Sequence, residues 1–269
     1  MIVGAATLHL VLAMALFSVL EERFAAHPSQ RWWRRRFGAD AALWLVHPVA
    51  AACGIAMASA LIRAVPRPGF APMVTALPLA LQTPIAFVLA DLGAYALHRA
   101  YHRVPLLWAF HAVHHTSKEL DWLSTSRLHP VSQAVNAAVA AAPLLACGLS
   151  TRAVVVANAV IGLWAVIVHA NVRLTLGTLA AVVVSPAFHR HHHASGDANL
   201  GAVLGVWDRL FRTWEDPRDP PLPAGRHRAP QLPPDDLVSL LLLPFRTRNR
   251  RTPGSEGRTG SASCRTSSR

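Results

Sequence analysis

The chain has 269 residues, 52% hydrophobic and only 15% charged, with a formal net charge of +12. That balance is too apolar for a typical soluble domain and too basic for a neutral surface, and a membrane protein fits both facts. Its cysteines, Cys53, Cys147 and Cys264, have no paired spacing, so neither a disulfide framework nor a thiolate metal site is indicated.

In chain order, apolar stretches at 2–20, 41–62, 73–97, 131–149 and 153–169 are each about long enough to cross a bilayer. The first has no basic segment before it and no small-residue cleavage pattern after it, so it is read as a retained span and not a signal peptide. Residues 21–40 form a charged connector in which Trp32 and Trp33 stand beside arginines, a composition expected at a membrane interface or in a solvated loop. Pro72, Pro78 and Pro84 should kink the third stretch or delay its helix. Asp91 lies near the end of that stretch, seven residues before His98 and almost on the same helical face, with Tyr95 between them. An ionisable residue inside an apolar span usually faces a polar site, so a role in supporting a site or lining a channel is expected.

Residues 98–130 are polar and rich in histidine, and the fourth and fifth stretches form a hairpin closed at Ser150-Thr151-Arg152. The segment 174–188 is apolar but broken by Gly177 and Pro186, and is expected along the interface. Leu200, Leu204, Trp207, Phe211 and Trp214 recur at roughly helical intervals, which predicts an amphipathic helix on the membrane or against the core. From about 217, proline, arginine, serine and glycine predominate and little independent structure is expected. Within that tail, Leu237 to Leu243 is too short to span and should dock on the core or on lipid. The basic tail could touch anionic phospholipid, whereas no fold for nucleic-acid binding accompanies its charge. The expected divisions are an N-terminal membrane region (1–72), a histidine-rich membrane domain (73–216) and a largely disordered tail (217–269).

Arginine placement sets an orientation. Arg23, Arg31, Arg34, Arg35 and Arg36 follow the first stretch and Arg99, Arg103, Lys118 and Arg127 the third, whereas the opposite loops hold only Arg63, Arg67 and Arg152. The positive-inside rule then makes the N-terminus external and the long C-terminal part cytoplasmic. With five spans, the histidine clusters emerge on that cytoplasmic side.

Those clusters are His98 and His102; His111, His114 and His115; and His189, His192 and His193. Spacings of three and four raise residues from one helical face, so each cluster could aim its imidazoles at one point. Imidazole suits zinc, copper, iron and nickel alike, and eight rings are too many for one tetrahedral ion. Two metal ions, or one ion with spare histidines, are the readings left open. His9, His27, His47 and His227 are isolated and read as ordinary histidines.

The flanks of the clusters resemble a known family. Asp91-Leu92-Gly93-Ala94-Tyr95-Ala96-Leu97-His98-Arg99 continuing to His102 looks like the first histidine box of the fatty acid hydroxylase/sterol desaturase superfamily. His111-Ala112-Val113-His114-His115 is similar to the second and Pro186-Ala187-Phe188-His189-Arg190-His191-His192-His193 to the last. Asn199-Leu200-Gly201, followed by Trp207-Asp208-Arg209-Leu210-Phe211, resembles the segment closing the catalytic core, so the resemblance covers roughly 75–215.

The resemblance implies an all-α, polytopic membrane bundle with a histidine-rich di-metal cap on its cytoplasmic side. It implies an O2-dependent oxidase with two iron ions that hydroxylates or desaturates an unactivated C–H bond of a lipid; zinc can replace iron in isolated protein. The ligands carried over are His98, His102, His111, His114, His115, His189, His192 and His193, with His129 and His169 added from family-like segments. Some eukaryotic relatives have a further histidine where this chain has Arg173. Asp91, Asp121, Asn171, Asp197, Asn199 and Asp208 are candidates to accept the second ring N–H of ligands, and Asp91, Tyr95, Asn199 and Asp208 are the expected catalytic-site residues. No haem or iron–sulfur segment is evident, so a separate donor is expected, a ferredoxin or a b-type haem protein with its reductase. A zinc-dependent membrane hydrolase is the alternative enzyme, but Glu119 and Glu215 are not in a His-Glu-x-x-His arrangement. A metal-binding or transport protein is the non-enzymatic alternative; transport would put ligands at mid-bilayer along a path, whereas these clusters fall at span ends.

Overall fold

A computed structural model of the chain describes residues 2–30, 37–64, 66–117, 119–217 and 236–247. Arg31, Trp32, Trp33, Arg34, Arg35 and Arg36 of the connector, Lys118 and most of the Pro/Arg-rich tail lie outside the described residues. The architecture is helical, and among the described residues strand pairing is limited to two isolated bridges, Ala25 with Val172 and Val183 with Leu204.

The helices are α1 (Ile2–Arg23), α2 (Phe37–Arg63), α3 (Ala71–Thr75), α4 (Leu79–Arg103), α5 (Pro105–His111), α6 (Pro130–Ala146), α7 (Thr151–His169), α8 (Pro186–Ser195), α9 (Val206–Leu210) and α10 (Leu237–Thr247). Helices cover all five apolar stretches, and α2, α4 and α7 have the length and apolarity to cross a membrane. Helix α6 is apolar but has 17 residues, or about 25 Å of helix, somewhat less than the ~30 Å hydrocarbon core. Large apolar side chains point outwards on these helices, as with Met57, Leu61, Leu81, Val155 and Leu163, an arrangement suited to lipid and unsuited to water. The prolines act as anticipated. Helix α3 stops before Pro78, which stands at the N-cap of α4, and Pro84 falls near the start of α4.

Small residues bring the bundle together. Ala86 and Ala90 of α4, Ala141 of α6, and Ala153 and Ala157 of α7 share one buried cluster. Gly54 of α2 lies so close to the backbone of Ala134 in α6 that a Cβ there would overlap the Ala134 carbonyl. Without a hydrophobic drive between helices in lipid, such close contact is a main source of association.

The histidine-bearing end is tied down by buried polar groups. Glu21, at the end of α1, accepts from the backbone N–H groups of Trp122 and Asn171, both at 2.8 Å. Arg127 pairs with Asp40 at 2.9 Å with both side chains fully buried, and Ser126 Oγ donates to the Asp40 carbonyl. Asp121 caps the short turn 122–126. Helix α10 docks on the core, where Leu240 and Leu243 pack with Leu43 and Val113.

The amphipathic helix expected over 200–214 does not form. Only Val206–Leu210 is helical, and Asn199 and Arg212 adopt left-handed backbone at φ 58° and 60°. The apolar positions that looked helical are held by buried carboxylates instead: Asp91 accepts from the N–H groups of Val203 and Leu204 and from Trp207 Nε1, and Asp208 accepts from those of Leu200 and Gly201.

Candidate metal centre

Helix α4 runs past the end of its apolar stretch and carries His98 and His102 one turn apart. His111 ends α5, His114 and His115 sit in the following 3-10 turn, His169 ends α7, and α8 carries His189, His192 and His193. Ser185 caps α8 by accepting from Phe188 N, with Pro186 in the first turn, which starts the helix where its histidines point inwards.

Nine imidazoles gather into two groups. His98, His102, His111, His115 and His192 form one, and His114, His169, His189 and His193 the other; within each, candidate ligand nitrogens lie within 4.8 Å of one another. The expectation that each sequence cluster aims at one point is corrected here. On α8, His189 and His193 share a group while His192 turns to the other, and the second cluster splits in the same way, His114 from His111 and His115. The reason is rotational: positions three and four apart fall on opposite sides of the starting residue's direction, by about 60° and 40° at 100° per residue. Two sites side by side can therefore draw on every cluster.

The residues fit metal ions on three counts. In the second group the Nε2 atoms of His114, His169, His189 and His193 approach at 3.0–3.2 Å. Metal–nitrogen bonds of about 2.0–2.1 Å give ligand–ligand separations of about 2.9 Å at right angles and about 3.4 Å at tetrahedral angles, which bracket those contacts. In the first group both ring nitrogens of His111 and His115, and Nε2 of His98 and His192, are buried without a hydrogen-bond partner. Leaving a buried polar group unsatisfied costs about 1–3 kcal/mol, a cost that coordination would remove. Finally, the protonation state suits ligation. Burial, reinforced by the neighbouring imidazoles, holds His111, His114, His115, His189, His192 and His193 well below the ordinary histidine range, so these rings keep a lone pair for a metal.

Backbone carbonyls orient three of the rings. His98 Nδ1 donates to Leu200 O at 2.8 Å, His169 Nδ1 to Ala165 O at 2.6 Å and His192 Nδ1 to Ala198 O at 2.9 Å. A carbonyl only accepts, so the N–H is at Nδ1 and the Nε2 lone pair faces the group. Asp91 and Asp208 hold the loop that presents Leu200, and Tyr95 donates to Thr213 Oγ1, which donates to Asp208 Oδ1. Asn199 Oδ1 accepts from Glu215 N, Asn171 bonds the backbone of His27, and Asp121 is the cap described above. Asp197 is exposed beside Arg99 and Arg103 in a polar pocket that also reaches His102.

His129 lies outside both groups. Its Nδ1 accepts from Val131 N, its Nε2 is 3.2 Å from Leu241 O, and its ring packs against Phe110 and Phe245. Arg173 is exposed and its backbone N–H donates to Phe24 O. Sequence reasoning missed Glu21 and the Arg127–Asp40 pair, although acids at the edges of apolar stretches were a signal. It also missed Tyr101, whose ring stacks on His111 at 4.8 Å with planes 3° apart. The orienting carbonyls carry no side-chain signal at all.

A cavity of about 740 Å³ opens beside both groups, reached by His98 and His111 from the first and by His114, His169 and His189 from the second. Away from the histidines it runs between α2, α4, α6 and α7 among alanines, valines and leucine.

Comparison with known proteins gives the same segment. Residues 83–213 match the family described as fatty acid hydroxylase. The chain is 33% identical over 147 residues to ornithine lipid hydroxylase OlsE of Rhizobium tropici, covering 53% of this chain and 44% of that protein. It is 35% identical over 136 residues to human (Homo sapiens) alkylglycerol monooxygenase, covering 48% and 30%, and 31% identical over 130 residues to the very-long-chain aldehyde decarbonylase GL1-1 of Oryza sativa subsp. japonica, covering 44% and 21%. The chain thus spans less than half the length of each of these relatives. No solved structure matches it significantly. The matched segment contains all nine grouped histidines, and over that segment the chain resembles the fatty acid hydroxylase/sterol desaturase superfamily.

Proposed function

We propose that this chain is an integral-membrane, O2-dependent oxidoreductase that inserts an oxygen atom into an unactivated C–H bond of a membrane lipid. The observation that carries this reading is the opening of one apolar cavity onto both histidine groups. A lipid chain can reach such a centre without leaving apolar surroundings, and relatives named for lipid hydroxylation and alkylglycerol oxidation point the same way.

His98, His102, His111, His115 and His192 would hold one metal ion and His114, His169, His189 and His193 the other. When bound, two iron ions supply the activation of O2 and the cleavage of the C–H bond. The balance is one lipid C–H, one O2, two electrons and two protons giving one alcohol and one water; the electrons come from a separate ferredoxin or b-type haem protein with its reductase. The protein's own residues fix the ligand tautomers, exclude water through buried walls and orient the lipid. Hydroxylation is preferred over desaturation because it needs one hydrogen abstraction instead of two. The arginine bias supports a cytoplasmic histidine end, and a bacterial inner membrane is the location proposed; Arg127, buried against Asp40, does not count towards the bias.

A zinc hydrolase is disfavoured because, among the described residues, both groups consist of histidine alone, and Asp121, the carboxylate that acts on His169, is engaged in capping the turn 122–126. Purified protein should contain two iron atoms per chain, and cells expressing it should accumulate an O2-dependent lipid heavier by one oxygen atom that His114→Ala abolishes. Two redox-silent zinc ions with no oxygen consumption would overturn the assignment.

A further inference from the structure

The cavity is not uniform along its length, and its gradient has a direction. On α6 its wall begins with Gln133 and Asn136 and continues with Ala137, Ala140, Ala141 and Leu145. From Gln133 to Leu145 the helix rises about 18 Å, more than half the ~30 Å hydrocarbon thickness. One wall therefore changes from amide to alkyl over a distance comparable to a lipid chain.

The amide end is the metal end. Tyr101 donates to Asn136 Oδ1 at 2.9 Å and stacks on His111, so a single tyrosine ring separates Asn136 from the first histidine group. With Oδ1 engaged, Asn136 Nδ2 has no protein partner among the described residues, nor has the side-chain amide of Gln133. Both face the cavity. Deeper, Asn158 is already used: its Nδ2 donates to the carbonyls of Ala140 and Val154 and so ties α6 to α7. Unpaired hydrogen-bonding groups in an apolar cavity are costly unless a ligand satisfies them.

We propose that Gln133 and Asn136 clamp the polar linkage of the substrate lipid. The substrate is then a lipid with an ester, amide or hydroxyl beside His111 and a straight alkyl chain running along α6 towards Leu145. Oxidation falls on a carbon next to that linkage, not at mid-chain or the terminal methyl. This rests on the oxygenase reading above, but the binding pose can be tested without it.

The test uses the full chain in lipid nanodiscs with monopalmitoylglycerol carrying a photoreactive diazirine either beside the ester or at the chain terminus. The ester-proximal probe should label peptides containing residues 125–136, and the terminal probe those around Leu145 and Val155. Gln133→Leu, and Asn136→Asp, which keeps the oxygen that Tyr101 needs but loses the N–H donor, should each lower labelling about tenfold, the value of one good neutral hydrogen bond. Reversed labelling, no cavity labelling, or labelling unchanged in both variants would overturn the clamp. Labelling needs neither metal nor O2, so its success beside absent oxygenation would indict the oxygenase reading alone.

Discussion

At the scale of single residues, the candidate metal centre depends on how imidazoles are oriented as much as on how many there are. Asp208 touches no imidazole, yet it accepts from Leu200 N–H, and the Leu200 carbonyl receives His98 Nδ1–H. Asp208→Asn would set an NH2 group against a cluster of N–H and O–H donors and let that carbonyl drift. Metal affinity should fall about 10–100-fold, the usual cost of losing a group that orients a ligand. His129→Ala should leave metal content unchanged, because His129 is outside both groups. Metal analysis after dialysis against graded chelator checks both; loss of an ion in His129→Ala would restore the ten-histidine set expected from sequence.

Among elements, the decisive contact is between α2 and α6. Helix α6 carries the cavity's polar and apolar lining, and it is positioned by the backbone approach at Gly54 and Ala134. Gly54→Val would force these helices apart, costing about 1–3 kcal/mol by overpacking. The expected result is a lower melting temperature in detergent together with weaker lipid labelling, whereas Gly162→Val, where a side chain meets open space, should melt like the wild type. The apolar stretches, the proline breaks and the α6–α7 hairpin were legible in the sequence because each follows from local composition. The 200–214 segment was not: its apolar spacing fitted a helix, but Asp91, more than a hundred residues earlier, captures the backbone N–H groups a helix would have used.

For the molecule as a whole, packing so many neutral imidazoles together makes stability depend on pH. The six histidines outside the spans with lowered pKa bind fewer protons folded than unfolded, where the ordinary value is about 6.5. Stability of the metal-free protein should therefore be level above about pH 7 and fall as pH drops below about 6.5, by up to about 1.4 kcal/mol per unit for each histidine. Metal should be released over the same range, since protons compete for the same lone pairs. Melting temperatures of metal-free protein from about pH 8 to about pH 5 would reveal this; a flat profile would mean that the rings are paired or exposed when unloaded.

The sequence by itself determined the membrane-helical class, the histidine boxes and the family resemblance, because these are written in composition, in short spacings and in the residues that flank them. The pairing of histidines into two groups was decided only by the tertiary structure. Neighbours three and four apart diverge around a helix axis, so His192 leaves His189 and His193 to join His98 from a distant helix. The same holds for the carbonyls of Leu200, Ala165 and Ala198, which every sequence possesses and only a fold can aim. His129 and Arg173 show the reverse: family-like positions whose surroundings, an aromatic contact and an exposed loop, put them outside the grouped set.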